Sequence, residues 1–398
     1  GKTGRSGLEY AFNDRLQGRT GGEIWTVDPS GFQYERVLHE KPRKGRDLRT
    51  SLDISVQKAA EAALDGKTGA VVAIETATGE IVAMTSQPDY DLNDLSPFLS
   101  YKTDREIREA GGWLNRATQG LYPPGSTFKL MTALAGMKTD QIKGETVINC
   151  PGYHTVGRRI FRCHRLSGHG DEDIVGAIRD SCNVFFYDRG LEIGVSEIAA
   201  AARTFGLDAQ TGVEIPGETN RMLVPDPEWK KRRFFGESWF EGDTANLSIG
   251  QGFLLVTPAQ LASMVAAIAN GVTRIQPTLL HSEENEANRG EPIPEWLGGD
   301  GFELIREGMR AAGREGTARL AGNPQLPVAG KTGTAQVRKD GQPTTLAWFV
   351  GYAPADDPQI AVAVLVEGVP EQETAYGGGS TAAPIAKEVF QAYLNRAP

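Results

Sequence analysis

The sequence predicts a two-layer α+β protein, in which an antiparallel sheet built from both ends of the chain is covered by helices, with a mostly helical subdomain opposite. Three observations predict it. A helix and a strand hairpin come early, three strand-like runs and a helix close the chain, and the stretch from about 90 to 330 reads as helices and long loops. No internal repeat or low-complexity tract breaks this order.

Residues 1–49 are polar and rich in Arg and Gly, and read as an extended segment with a short hairpin near "GEIWTVDPSGFQYERVL". In "LRTSLDISVQKAAEAAL" (48–64), Ile54, Val56, Ala59, Ala60 and Ala63 keep helical spacing after a short extended run. "GAVVAIETATGEIVAMTS" (69–86) reads as two apolar strands around the turn "TATG". In "FLLVTPAQLASMVAAIANGV" (253–272), Thr257 can cap a helix with Pro258 in its first turn, and Asn270-Gly271 can end it. Its Pro, Thr, Gln and Asn make it a buried core helix rather than a membrane span. Strand character returns at 328–339, 346–354 and 359–369. The closing helix, 384–396, opens on Pro384 and aligns Ile385, Val389 and Tyr393 or Leu394 on one face.

The 398 residues are 39% hydrophobic and 23% charged, which suits a globular protein with a sizeable core. A formal charge of −9 argues against nucleic-acid binding, which needs a basic face. The chain opens on "GKTGRSG" without Met, as a trimmed piece of a longer protein would, and no signal peptide is visible.

The chemistry starts at "LYPPGSTFKLMTALAGM" (121–137). Pro123-Pro124-Gly125 stops whatever precedes, and Ser126 opens an apolar helix. Three residues apart, Ser126 and Lys129 share a helical face, so the amine can reach the hydroxyl. The helix N-terminus favours a developing alkoxide. Phe128, Leu130, Met131, Leu134 and Met137 surround the helix with apolar groups, and burial lowers a lysine pKa because the cation loses hydration. A neutral amine beside a serine is a credible general base. Alone, Ser-x-x-Lys reads better as a capping serine with a solvated lysine in the first turn. What lifts it is its company downstream: Ser181-Cys182-Asn183, then Lys331-Thr332-Gly333-Thr334.

The three cysteines, Cys150, Cys163 and Cys182, lie close together in the chain. An odd number excludes a complete disulfide framework, leaving one disulfide plus a free thiol, or a metal site. His154, His164 and His169 lie among them, whereas His39 and His281 read as surface residues.

In this order the three motifs resemble those of the penicillin-binding proteins, active-serine transpeptidases that share them with class A β-lactamases. "LNRATQGLYPPGSTFK" and "GDTANLSIGQGFLLVTPAQLA" (242–262) are similar to the class B enzymes, closest to the penicillin-binding protein 2 group. The likeness runs from about residue 48 to the C-terminus. "GLEYAFNDRLQG" (7–18) resembles the juncture with that family's non-catalytic pedestal, so residues 1–47 are expected to be a remnant of it and 48–398 the transpeptidase domain.

The resemblance implies the penicillin-binding protein/β-lactamase-like transpeptidase fold and a set of roles. Ser126 would attack the penultimate D-alanine carbonyl of a peptidoglycan stem peptide, and Lys129 would take its proton. Ser181 would relay a proton to the leaving amine while Asn183 holds the substrate amide. Lys331 would offer a positive charge near the terminal carboxylate and help hold Lys129 neutral, with Thr332 and Thr334 as hydroxyl partners. Gly333 would leave room for a peptide beside the strand. The N–H groups of Ser126 and Thr334 would form the oxyanion hole. β-Lactam antibiotics would acylate Ser126. Matching along the segment implies a structural zinc ion, Zn2+, on Cys150, Cys163, His169 and Cys182, with Cys182 turned away from the cleft. It also implies a cytoplasmic-membrane anchor with this domain outside, a SEDS-family glycan polymerase and elongation-complex scaffold proteins as partners. The alternatives are a β-lactamase, for which no Glu-based deacylation motif is visible, a D,D-carboxypeptidase, or a non-catalytic β-lactam-sensing receptor.

Overall fold

The computed structural model describes residues 3–96, 98–281, 290–294, 300–339, 341–369 and 376–396. Its centre is a five-stranded sheet of β1 (Gly69–Glu75), β2 (Ile81–Gln87), β3 (Ala329–Lys339), β4 (Gln342–Ala353) and β5 (Ile360–Glu367). The spatial order is β3-β4-β5-β1-β2, every pair antiparallel, so the two chain ends meet at β5 and β1. This arrangement leaves β3, which carries the Lys-Thr-Gly-Thr run, at an edge.

Strand alternation divides two cores. Val71 and Ala73, with Phe349, Val362, Val364 and Val366, face helices α1 (Ile54–Leu64) and α7 (Ala383–Leu394). Ala70, Val72 and Ile74, with Trp348, Val350, Ala363 and Leu365, face α5 (Pro258–Asn270) and the helical region beyond. The sheet is therefore buried on both faces, and the expected two layers are three. Each fully buried Val or Phe of this kind stabilises by roughly 1.5–3 kcal/mol. The helices begin where the sequence signals them. Asp53 accepts from Ser55 N and Val56 N to cap α1. Thr257 and Gln260 form a capping box over α5, with Pro258 in its first turn, and Gly271 ends it in a left-handed conformation.

Between the sheet's two halves lie α2 (Lys129–Lys138), α3 (Ile174–Arg179), α4 (Asn183–Ile193), α5 and α6 (Asp300–Arg314). The region 148–172, read as loop from sequence, instead holds two small antiparallel pairs, Ile148–Cys150 with Gly170–Glu172 and Tyr153–Val156 with Arg159–Arg162. Strands of three or four residues carry too little alternation to stand out from a loop. The N-terminal hairpin is present as Gly22–Val27 against Gln33–Glu40, preceded by two short helical turns that the polar sequence did not signal. Among the described residues no helix is long and apolar enough to cross a membrane.

Candidate active site

Ser126 sits not in the α-helix proper but in a 3-10 turn, Gly125–Phe128, with α2 starting at Lys129. In a 3-10 turn residues i and i+3 eclipse, so Ser126 and Lys129 keep their common face. Gly125 has φ +56°, and a Cβ there would lie 2.9 Å from the Thr334 carbonyl oxygen. The turn before the serine is thus pressed against β3, and its amide donates to Gly250 O at 2.9 Å. Two further ties hold it. Trp348 Nε1 donates to Pro123 O at 3.0 Å, and Tyr122 OH donates to Glu367 at 2.9 Å. Glu367 also accepts from Arg116 Nε at 2.8 Å and pairs with Lys339 at 3.0 Å. Sequence reasoning missed this anchor. Arg116 lies inside the quoted "LNRATQGLYPPGSTFK", but its partner is 251 residues away and no local pattern joins them.

Lys129 is fully buried. Its Nζ lies 2.7 Å from Ser181 O, 2.6 Å from Asn183 Oδ1 and 3.2 Å from Ser181 Oγ, and no hydrogen bond joins it to Ser126 Oγ among the described residues. Burial pushes its pKa down to about 8, against an upward pull from the thiols of Cys182, Cys163 and Cys150. A neutral amine donates only twice, so the longest contact is the one that can reverse, with the Ser181 hydroxyl donating to Lys129.

Ser181 reaches the lysine because of where α3 ends. Cys182 N bonds Ala177 O at 3.0 Å and Ser181 N bonds Ile178 O at 3.3 Å, the paired closure of a Schellman motif. Ser181 occupies the left-handed position, φ +56°, where glycine is usual. A non-glycine residue there costs about 1 kcal/mol or more. The conformation turns Ser181 O and Oγ toward the amines and Cys182 to the other side. Asn183 then opens α4, and its Nδ2 donates to Arg162 O at 3.3 Å.

Lys331 also converges on Ser181, donating to its Oγ at 2.7 Å and to Thr332 O at 3.0 Å. It too is fully buried, and burial followed by repulsion from Lys129 pushes its pKa well below the usual lysine range. The lysine expected to offer a positive charge near the terminal carboxylate is a buried partner of Ser181. Its strand position points inward between β3 and α3, and only Thr332, Gly333 and Thr334 of the motif line the cleft. The Thr334 carbonyl accepts from Gln251 Nε2 at 3.4 Å on the cleft side. In an antiparallel strand a residue's N–H and C=O point the same way, so the Thr334 N–H faces the cleft as well.

Gly333 has a different reason from the expected one. A Cβ there would meet Pro124 O at 2.9 Å and Thr127 Cγ2 at 3.0 Å. The missing side chain lets the strand pack on the nucleophile turn behind the cleft.

The cleft holds about 980 Å3 and takes in Ser126, Ser181, Asn183, Thr332 and Thr334. Residues the sequence reading did not assign also line it, among them Tyr187, Asn246, Gln251, Thr317, Arg319 and the turn 377–380. Of these, Asn246 and Gln251 lie within the quoted 242–262 segment.

Behind Ser181, the ligand atoms of Cys150, Cys163, His169 and Cys182 all lie within 4.8 Å of one another. His169 Nδ1 is 3.5 Å from Cys150 Sγ and 3.6 Å from Cys163 Sγ. A tetrahedral zinc with ordinary Zn–S and Zn–N lengths would separate sulfur from nitrogen by roughly 3.5 Å. All three cysteines are free and buried. Burial pushes the His169 pKa down and so favours the neutral imidazole that a metal needs. The Cys163 thiol is held down, first by a hydrogen bond from Cys182, whose own thiol is held up by the same bond and by burial. Asn183 N donates to Cys163 Sγ at 3.3 Å, which ties the cluster to the Ser-x-Asn turn. His164 lies beside Cys163 at 3.9 Å but outside the four-residue group, and His154 sits on the outer hairpin. His39 bonds Glu23 on the N-terminal hairpin.

Residues 69–391 match the family model of the penicillin binding protein transpeptidase domain, and the chain belongs to that family. Among curated relatives, the peptidoglycan D,D-transpeptidase MrdA of Acinetobacter baumannii is 34% identical over 98% of this chain and 60% of its own length. The Escherichia coli K12 protein of the same name is 29% identical over 92% of this chain and 61% of its own. The chain thus spans about 60% of the length of these relatives. A solved structure of penicillin-binding protein 2 with MreC from Helicobacter pylori superposes with a TM-score of 0.87 at 30% identity, covering 98% of this chain and 72% of that one. Pseudomonas aeruginosa penicillin-binding protein 2 in complex with WCK 5153 superposes at 0.82 with 33% identity, covering 99% and 82%. The fold is that of these transpeptidase domains.

Proposed function

We propose that this chain is the catalytic part of a peptidoglycan D,D-transpeptidase working through an acyl-enzyme on Ser126. The observation that carries this reading is the convergence of two buried lysine amines on Ser181, directly beside a cleft that exposes Ser126 and the β3 edge. Ser126 Oγ attacks the carbonyl carbon between the two terminal D-alanines of a stem peptide, and the neutral Lys129 amine takes the hydroxyl proton. The N–H groups of Ser126 and Thr334 receive the oxyanion. As the tetrahedral species collapses, the carbon–nitrogen bond breaks and the proton returns through Ser181 to the departing D-alanine amine. An acceptor amine from a second stem peptide then attacks the ester, forming the cross-link and restoring Ser126. Asn183 and the Thr332 and Thr334 hydroxyls hold the donor peptide. A β-lactam presents its strained amide to the same attack, but its leaving group stays tethered.

Zinc on Cys150, Cys163, His169 and Cys182 belongs to the same proposal. What supports it is the donor set, three free thiols and a neutral imidazole at tetrahedral spacing. Bound there, the ion supplies a structural crosslink, and the chain's own residues do the chemistry. The whole protein is proposed to sit in the cytoplasmic membrane with this domain outside, residues 1–47 leading from a pedestal. Elongation-complex scaffold proteins and a SEDS-family glycan polymerase are its proposed partners. Similarity to structures solved with MreC and within a peptidoglycan synthase complex supports that assembly.

The test is intact mass after incubation with a labelled penicillin. The wild type is expected to gain one adduct per chain and Ser126→Ala none. An adduct that persists in Ser126→Ala would rule out the assigned nucleophile.

A further inference from the structure

The cleft is charged oppositely to the protein around it. The chain carries 51 Asp and Glu and a formal charge of −9, yet no described residue lining the cleft is acidic. Nor do the two active-site lysines supply its positive charge at the surface, since both are fully buried and donate to Ser181, Asn183 and the Thr332 carbonyl. Among the described residues, the permanent cations on the cleft wall are Arg162, whose carbonyl accepts from Asn183 Nδ2, and Arg319.

Arg319 is held at one end of β3. It opens a 3-10 turn, Arg319–Ala321, just after Thr317, whose N and Oγ1 bond the Arg179 carbonyl at 3.2 and 3.3 Å. The Thr317 carbonyl lies against Gly379, where a Cβ would be 2.7 Å from that oxygen and 4.0 Å from Thr332 Cγ2. The turn therefore sits at the Thr332 end of the strand. Arg319 is exposed and, among the described residues, has no carboxylate within ion-pair distance, unlike Arg116, Arg203 and Arg310. A guanidinium with no carboxylate partner among the described residues, on a wall whose described residues include no acid, is suited to a planar oxyanion in two-point contact.

A peptide pairing antiparallel with the β3 edge would run with its C-terminus toward the strand's beginning, where Thr332 and Arg319 lie. We propose that Arg319 receives the terminal carboxylate of the bound peptide, so that the cleft selects chains ending in a free acid. This rests on the reading that the donor peptide lies along β3 beside Ser126. It transfers to Arg319 the charge-recognition role that the motif alone would give Lys331.

The test compares ligands that differ only in that charge. With benzylpenicillin, Arg319→Ala is expected to lower the second-order acylation constant about 10- to 100-fold, through weaker binding rather than a slower limiting rate. With benzylpenicillin methyl ester the same variant should match wild type within about twofold, and Arg319→Lys should recover part of the acid's advantage. Equal losses on both ligands, no loss on either, or discrimination that follows Arg162→Ala instead would overturn the proposal. A second arm does not depend on acylation. In a Ser126→Ala background, an acyl-D-Ala-D-Ala acid should outbind its C-terminal amide by NMR titration, and adding Arg319→Ala should abolish the difference. If wild type is never acylated, the transpeptidase reading fails while this arm still decides the role of Arg319. An acid preference that survives the substitution refutes it.

Discussion

Replacing Lys129 with methionine is expected to slow acylation of the protein by a fluorescent penicillin about 1,000-fold or more. Methionine keeps the length and apolar stem that pack under Phe186, whose ring lies 5.5 Å from the amine, but it cannot accept a proton. A positioned general base contributes about 10²–10⁴ in rate, and here one group also organises Ser181 and Asn183, so the loss should fall at the upper end. The loss belongs in the limiting rate, with ligand affinity nearly unchanged, because Lys129 lies beneath the cleft surface. The substitution also leaves Ser181 O and Asn183 Oδ1 without their donor, which should cost about 1–3 kcal/mol of stability. Stopped-flow acylation with a thermal melt separates the two effects. A variant that still folds and acylates within tenfold of wild type would remove Lys129 as the base.

The second large effect is expected from the metal. Elemental analysis should find one zinc per chain, and stripping it with a chelator should destabilise the domain by about 4 kcal/mol when binding is a thousandfold above the dissociation constant. For a domain this large that is roughly 5–6 °C in Tm. Acylation should slow with it, because Cys182 lies between Ser181 and Asn183 and the cluster holds Asn183 N through Cys163. Adding zinc back should restore both, and Cys182→Ser should lose the metal. Stoichiometric zinc in Cys182→Ser would contradict the ligand set.

These expectations rest on features that differ in how far the sequence announces them. The strands are legible because β1, β4 and β5 are dense apolar runs bounded by turns, and both ends of α5 carry explicit capping residues. Ser126 and Lys129 are legible because a three-residue spacing fixes a common face in either helix type. The four metal-binding candidates were legible only by matching along the segment, since no close Cys-x₂-Cys pair marks them. What escaped is set by distance along the chain. Nothing near Lys331 signals that its amine turns inward to Ser181, 150 residues away. Gly333 looks like room for a ligand until the Pro124–Thr127 turn is seen packed behind it. Arg319 lies in no motif, and its place on the cleft depends on how the Thr317 turn docks against Gly379.

The central claim is that Ser126 is activated by an uncharged lysine, and the pH dependence of acylation tests it most directly. Burial brings Lys129 down to about 8, and only its neutral form can take the serine proton. The second-order acylation constant should therefore rise with pH through an inflection near 8 and then level, and Lys129→Met should lack that inflection. A wild-type profile that is flat from pH 6 to 9, or that is still climbing in the range of an ordinary lysine at about 10.4, would contradict the account.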